Sequence, residues 1–330
     1  MEARYWKEEA GKVRCGLCPH HCLISDGAVG ICGVRRNDSG KLTALSYGLV
    51  SSVHVDPMEK KPFYHMHPGE GVLSFGSLGC NLGCMHCQNY SISQARPGRD
   101  DTNRIAPEEV PSMVRRSACR GVAWTYNEPT MWHEFAADAS KACKKEGMFS
   151  VFVSNGYIEE TPLRDLKGLV DGMNIDVKGF TEDFYHKICK AKLAPVLNAV
   201  QVAHDIGMHV ELTYLIIPGH NDDRGEIDRF CRWAAGVDAE MPVHFSRFHP
   251  DYKMMDVPMT PAKTMEMAHE VAKAAGLSFV YLGNMRSGAE DTICPQCGNV
   301  AIKRAYFDVV KMSLNGGRCG KCGRDLNIIM

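Results

Sequence analysis

GCNLGCMHCQN, residues 79 to 89, sets Cys80, Cys84 and Cys87 at C-x3-C-x2-C spacing. Three sulfurs fall within a single short loop, with no fourth cysteine close by. A structural zinc ion takes four ligands, and a ferredoxin-type cluster also takes four thiolates. Three closely spaced thiolates suit a [4Fe-4S] cluster whose fourth iron is open, and an open iron can bind a small molecule as well as carry electrons. The bland alternative is three cysteines packed in a core as small hydrophobes. The regular spacing weighs against it.

Working outward, the 330-residue chain is long enough for one large domain with small attachments, or for two domains. No run of apolar residues is long enough to span a membrane, and MEARYWKEEAGK at the start lacks the apolar stretch of a secretory signal. A net charge of -1 predicts no general affinity for nucleic acid or membrane surfaces. Fifteen cysteines without a secretion signal point to a reducing cytoplasm and an oxygen-sensitive metal protein rather than a disulfide framework. Eleven of them fall in clusters with ligand-like spacing. Cys119, Cys143, Cys189 and Cys231 stand alone and read as packed core thiols.

Upstream, RCGLCPHHCLISDGAVGICGVR carries Cys15, Cys18, Cys22 and Cys32 among turn-forming glycines. Four cysteines with one C-x2-C knuckle favour an S4 site, meaning zinc or a single iron, with an auxiliary iron–sulfur cluster as the alternative. His20 and His21 lie inside that loop and read as bystanders. Downstream, Cys294, Cys297, Cys319 and Cys322 form two C-x2-C knuckles around AIKRAYFDVVKMSL, a zinc-ribbon pattern. Its basic residues are too few to predict nucleic-acid binding. LTALSYGLVSSVHV, residues 42 to 55, reads as one or two strands. The polar connector DPMEKKPFYHMHPGEGV follows, its histidines set just ahead of the cysteine-loop strand.

Between these ends, short apolar runs alternate with helix-length amphipathic stretches. Strands are expected over 72–77, 121–126, 149–154, 172–177, 209–217, 242–248 and 277–282. Helices are expected over 107–117, 131–146, 163–169, 181–188, 195–206, 222–235 and 261–275. Alternation of this kind implies a parallel sheet with right-handed crossovers, about six βα units in all. Polar residues gather after five successive strands, in TYNEPT (125–130), Ser154-Asn155-Gly156, Asp176-Val177-Lys178, Pro218–Asp222 and Arg247–Pro250. Turns are often polar, so one such cluster would be weak. Five behind a three-cysteine loop are not, because barrel chemistry sits at the C-terminal ends of the strands.

The three-cysteine loop resembles the signature of radical S-adenosylmethionine (SAM) enzymes. CGLCPHHC, GICGVR, DPMEKKPFYH, TYNEPT, SNGY, NIDVKGF, IIPGHND and HFSRFHP extend the resemblance to the radical SAM component of the AmmeMemoRadiSam group, which is similar to pyruvate formate-lyase-activating enzymes. The resemblance implies an α/β fold: a partial (βα)6 barrel over 71–285, a cysteine-rich metal module and connector over 1–70, and a zinc-ribbon-like tail over 286–330. It implies a [4Fe-4S] cluster on Cys80, Cys84 and Cys87 that chelates SAM and cleaves it reductively into methionine and a 5′-deoxyadenosyl radical, which abstracts hydrogen. By the same resemblance, His86 lies near the adenine and Glu128 contacts the SAM amino group. Asp176 and Lys178 help bind SAM and a monovalent cation, and Asn155 and His249 contact the ribose and methionine. The implied partners are a reductant such as flavodoxin or ferredoxin, a protein substrate or a small metabolite, and functionally associated Memo-like and AMMECR1-like proteins. The extra cysteines lie at the chain ends, not in a ferredoxin insert after Cys87, which departs from glycyl-radical activases that carry one. A non-catalytic electron carrier or zinc-ribbon interaction module is the reading from another class.

Overall fold

The computed structural model describes residues 1–98, 102–285 and 288–330. Its centre is an eight-stranded sheet whose strand order follows the chain. Seven barrel strands run parallel: Gly71–Gly76, Gly121–Trp124, Phe149–Ser154, Gly172–Asp176, His209–Ile216, Val243–Arg247 and Val280–Gly283. Ser52–Pro57 adds an antiparallel edge beside the first of them. The other edge is the last barrel strand, and the two edges do not pair, so the barrel stays open. The strands are mostly buried on both faces, as in the apolar Gly121–Trp124, which is buried throughout. That is what a parallel sheet covered by helices requires. The covering helices include His133–Lys145, Leu193–Asp205, Arg224–Asp238 and Ala262–Ala274.

The expected α/β partial barrel is therefore present, with local corrections. The helix expected over 163–169 forms earlier, at Glu160–Arg164. Pro162 falls in its first turn, where a missing N–H costs no hydrogen bond, and Gly168 turns the chain with φ +76°. The helix expected over 181–188 is a short α-turn, Glu182–Phe184, that widens into a π-turn, Tyr185–Cys189, closed by left-handed Lys190. Residues 42–55 hold parts of three strands, Lys41–Ala44, Leu49–Val50 and Ser52–Pro57, rather than one or two. The linker of the C-terminal knuckles is a hairpin, Val300–Ala305 with Asp308–Met312.

Both cysteine-rich ends pack onto the barrel. Val13, Cys15, Leu17, Cys18 and Ile24 belong to the same buried core as the barrel strands. At the other end, Cys294, Ile302, Cys319 and Leu326 share a second core with Phe279, Tyr281 and Tyr64. The boundary expected at 286 falls on residues 286–287, which lie outside the described residues.

The connector runs beneath the end of the barrel where the strands begin. There Glu211 accepts hydrogen bonds from the backbone N–H of Tyr64 (3.0 Å) and His65 (2.8 Å), and its oxygens also meet His209 Nε2 (2.9 Å) and His244 Nε2 (2.6 Å). His65 spends its ring on the Leu326 carbonyl and the Tyr281 hydroxyl. Arg304 donates to Glu59 and to the Tyr64 carbonyl and stacks over the Tyr64 ring. These contacts tie connector, barrel and C-terminal hairpin together. Among the described residues, no helix is long and apolar enough to cross a membrane.

Candidate functional site

The cysteine loop leaves the C-terminal end of the first barrel strand and is held from several sides. Asn127 accepts from the Ser77 N–H and donates to the Gly79 carbonyl, each at 2.9 Å. Gly79 has φ +82°, and a Cβ there would lie 2.7 Å from the Cys32 carbonyl oxygen and 2.6 Å from Val34. Only glycine fits both the conformation and the space. On the opposite side, Gly83 N–H donates to the Cys189 carbonyl (2.9 Å) and Met85 N–H to the Ile188 carbonyl (3.1 Å). The π-turn expected as plain helix thus lies along the cysteine loop, the kind of place where such turns concentrate. From above, Lys253 N–H donates to the Met85 carbonyl.

The three sulfurs have distinct surroundings. Cys80 Sγ accepts from Leu82 N–H (3.4 Å) and Asn155 Nδ2 (3.6 Å). Cys87 Sγ lies 3.2 Å from Ser93 Oγ. Cys84 accepts from the Cys189 thiol, which lowers the Cys84 pKa, while burial holds Cys189 itself protonated. Burial, followed by the Glu128 charge, pushes Cys80 well above the usual thiol range, and burial also raises Cys87. Such thiols need a metal's positive charge to become thiolates.

The other expected site residues converge on this loop from the strand ends. Glu128 is buried. Its Oε1 accepts from Thr130 N–H (2.9 Å) and Ser154 Oγ (2.7 Å), and its Oε2 from Asn155 N–H (2.8 Å). Burial still raises its pKa. Asn155 donates from Nδ2 to Asn81 Oδ1 (3.0 Å) and to Cys80, and its Oδ1 accepts from Tyr157 N–H. Lys178 Nζ donates to Asp176 Oδ2 at 2.5 Å. Burial opposes the Lys178 charge, but Asp176 and Cys84 outweigh it and hold its pKa well above the usual value. His86 is 5% exposed, and neither ring nitrogen has a partner. Burial, with Lys178 and His220 adding to it, pushes its pKa down to about 3. His249 sits at the rim, where its Nε2 accepts from Gln88 at 2.9 Å.

Some residues of this site escaped the sequence reading. Asn81 and Asn127 sit inside motifs that were singled out, but nothing in the motifs distinguishes a latch from a ligand. Cys189 is buried as a core thiol should be; its contact with Cys84 spans about a hundred residues and has no local signal. The connector histidine His65 lies at the opposite end of the barrel, in the Glu211 network.

The two cysteine quartets differ. In the C-terminal one, Cys294 and Cys322 sulfurs lie 3.6 Å apart and Cys297 and Cys319 sulfurs 3.7 Å apart, and all four lie within 4.8 Å of one another. The N-terminal four line a shared cavity together with His20, Arg35 and Asn81.

The Radical SAM superfamily model matches residues 76–231. Over 332 aligned residues the chain is 44% identical to an uncharacterized protein of Methanocaldococcus jannaschii, covering 99% of this chain and 98% of that one. It is 23% identical to the Escherichia coli pyruvate formate-lyase 1-activating enzyme, covering 65% of this chain and 93% of the enzyme. Among solved structures, a radical SAM methyltransferase from Sphaerobacter thermophilus aligns with a TM-score of 0.51 at 13% identity, covering 66% of this chain and 68% of that one.

Proposed function

Because this chain carries a radical SAM domain over residues 76–231, we propose that it binds a [4Fe-4S] cluster on Cys80, Cys84 and Cys87 and uses SAM to abstract hydrogen from a substrate presented at the open barrel mouth. The observation that carries this reading is His86. Buried beside the cysteine loop with two unpartnered ring nitrogens, it is a polar group prepared for an occupant. The bound cluster and SAM would supply one-electron cleavage of the sulfonium to methionine and a 5′-deoxyadenosyl radical.

The chain's own residues bind, orient and exclude water. A carboxylate offers about four acceptor sites. Three on Glu128 are taken, so one remains, on Oε2, for the SAM ammonium. Lys178, with Asp176 beside it, offers a cation for the SAM carboxylate. His86, neutral at physiological pH, offers a flat uncharged face to the adenine and no like charge to the sulfonium. His249 closes the rim. Asn155 spends both amide hydrogens on Asn81 and Cys80, so it acts chiefly by fixing the cysteine loop. The electron comes from an external one-electron donor such as flavodoxin or ferredoxin, and the unpaired barrel edges leave room for a protein or peptide substrate.

The C-terminal quartet reads as a structural zinc site. Zn–S bonds of about 2.3 Å give a tetrahedral edge of about 3.8 Å, close to the sulfur separations there. Cys297→Ala should remove zinc and leave iron content unchanged.

The test of the main reading is anaerobic reconstitution, reduction, addition of SAM, and quantification of 5′-deoxyadenosine by mass spectrometry. Wild type should form it and Cys84→Ala should not. Equal yields from the two would end the reading.

A further inference from the structure

The N-terminal quartet is built differently from the C-terminal one. A zinc or single-iron site draws four sulfurs to roughly 3.8 Å of one another. The C-terminal four meet that condition. Among the described residues, no other three cysteine, histidine, aspartate or glutamate side chains bring one ligand atom each within 4.8 Å of one another. Cys15, Cys18, Cys22 and Cys32 instead stand back around a common cavity, whose remaining walls include Leu17, Ile24 and Met131. Cys80, Cys84 and Cys87 are likewise held apart.

Arg35 adds an independent sign of an occupant. It is 1% exposed and lines this cavity. Its Nη1 donates to the Arg4 carbonyl (3.0 Å) and its Nη2 to Glu134 (2.5 Å), but its buried Nε–H has no acceptor. Leaving such a donor unmet is costly, and a sulfur in the cavity would meet it. We propose that Cys15, Cys18, Cys22 and Cys32 hold a sulfide-bridged iron–sulfur cluster, with Arg35 Nε–H donating to its sulfur, as a second cluster beside the radical site and placed to pass it one electron.

The placement follows from the contacts between the two loops. Asn81, next to Cys80, lines the N-terminal cavity, and its carbonyl meets His20 Nε2 at 2.7 Å. Gly79, on the other side of Cys80, packs against the Cys32 carbonyl. Each loop has half-buried cysteines, Cys22 and Cys32 in one and Cys80 and Cys87 in the other, and the N-terminal loop also carries Ile31, 66% exposed. A protein donor can therefore approach this outer cluster at Ile31, and the cluster adjoins the inner one. One electron arrives from a low-potential protein donor and one leaves for the inner cluster; no bond or proton changes. Only this electron-transfer role rests on the radical reading. The cluster's existence does not.

The test uses the full chain carrying Cys80→Ala, Cys84→Ala and Cys87→Ala together, reconstituted anaerobically with ferrous iron and sulfide. This variant should retain about four irons and about four acid-labile sulfides, with a reduced-cluster EPR signal that SAM does not alter. Adding Cys15→Ala, Cys18→Ala, Cys22→Ala and Cys32→Ala to it should remove them. Beyond the one ion of the C-terminal quartet, a second zinc or a single iron with no labile sulfide in the triple variant would overturn the proposal. So would sulfide retained after all four N-terminal cysteines are replaced, which would show adventitious loading. In fully reduced wild type, spin–spin coupling should broaden both signals relative to the sum of the single-cluster variants. An unbroadened sum would overturn the neighbouring placement. If wild type fails to bind SAM, the radical reading falls, while the triple variant's iron and sulfide still decide the outer cluster.

Discussion

Where the barrel strands begin, Glu211 collects two backbone N–H groups and two histidines, and Arg304 joins Glu59 to the Tyr64 carbonyl. Where the strands finish, His86 is also buried, yet both its nitrogens are unpartnered, and burial raises the pKa of the Cys80 and Cys87 thiols in the same loop. Both ends bury polar side chains. At the first the partners all come from the chain, so the network fixes the packing of connector, barrel and C-terminal hairpin. At the second the chain leaves valences open, which is what a site awaiting a ligand looks like.

Substitutions should separate the two ends. The largest effect is expected from Cys84→Ala. It should abolish 5′-deoxyadenosine formation and cluster loading at that loop, while the folded chain keeps its far-UV circular dichroism. Glu211→Ala should do the reverse. It strands two backbone donors and two histidines in a buried site, at a cost of roughly 3–5 kcal/mol, readable by urea unfolding. SAM affinity per folded molecule should stay near wild type. A matching loss of SAM affinity would mean that the two ends are coupled.

Acid should act on the satisfied end through His65, whose pKa burial pushes down to about 3 from an ordinary 6.5. The unfolded chain then takes up the proton first. His65 is therefore without penalty above about pH 6.5, and stability falls as pH drops from there toward about 3, by about 1.4 kcal/mol per pH unit. His65→Gln should flatten that slope in urea titrations at successive pH values. The smallest effect belongs to the rim. His249→Ala removes one hydrogen-bonding group from a partly exposed position, and calorimetry should show SAM affinity weakened by a few-fold, corresponding to about 1 kcal/mol.

Much of this was legible along the chain. The periodic alternation of apolar runs and amphipathic stretches marked the seven barrel strands, and the Phe149–Ser154 limits match the expected ones. The cysteine spacings marked all three clusters, and the strand-end motifs marked Glu128, Asn155 and the Asp176–Lys178 pair. What stayed hidden depended on partners far away in sequence. The hydrogen bonds from Asn155 to Cys80 and Asn81 cross more than seventy residues and have no local signal. The turn at 185–189 is helical by composition, and only its docking along the cysteine loop accounts for its wide π geometry.

The sequence by itself determined the fold class, the C-x3-C-x2-C spacing of Cys80, Cys84 and Cys87, and the grouping of the other eight clustered cysteines at the two ends, because periodicity and residue spacing are local properties of the chain. Only the tertiary structure decided which sulfurs touch and which stand apart around a cavity, that Cys189 lies against Cys84, that Arg35 reaches the N-terminal quartet with a free donor, and that Glu211 locks one end of the barrel. Each of those depends on which distant groups share a buried space. There, a polar atom must either find a partner in the chain or wait for one from outside.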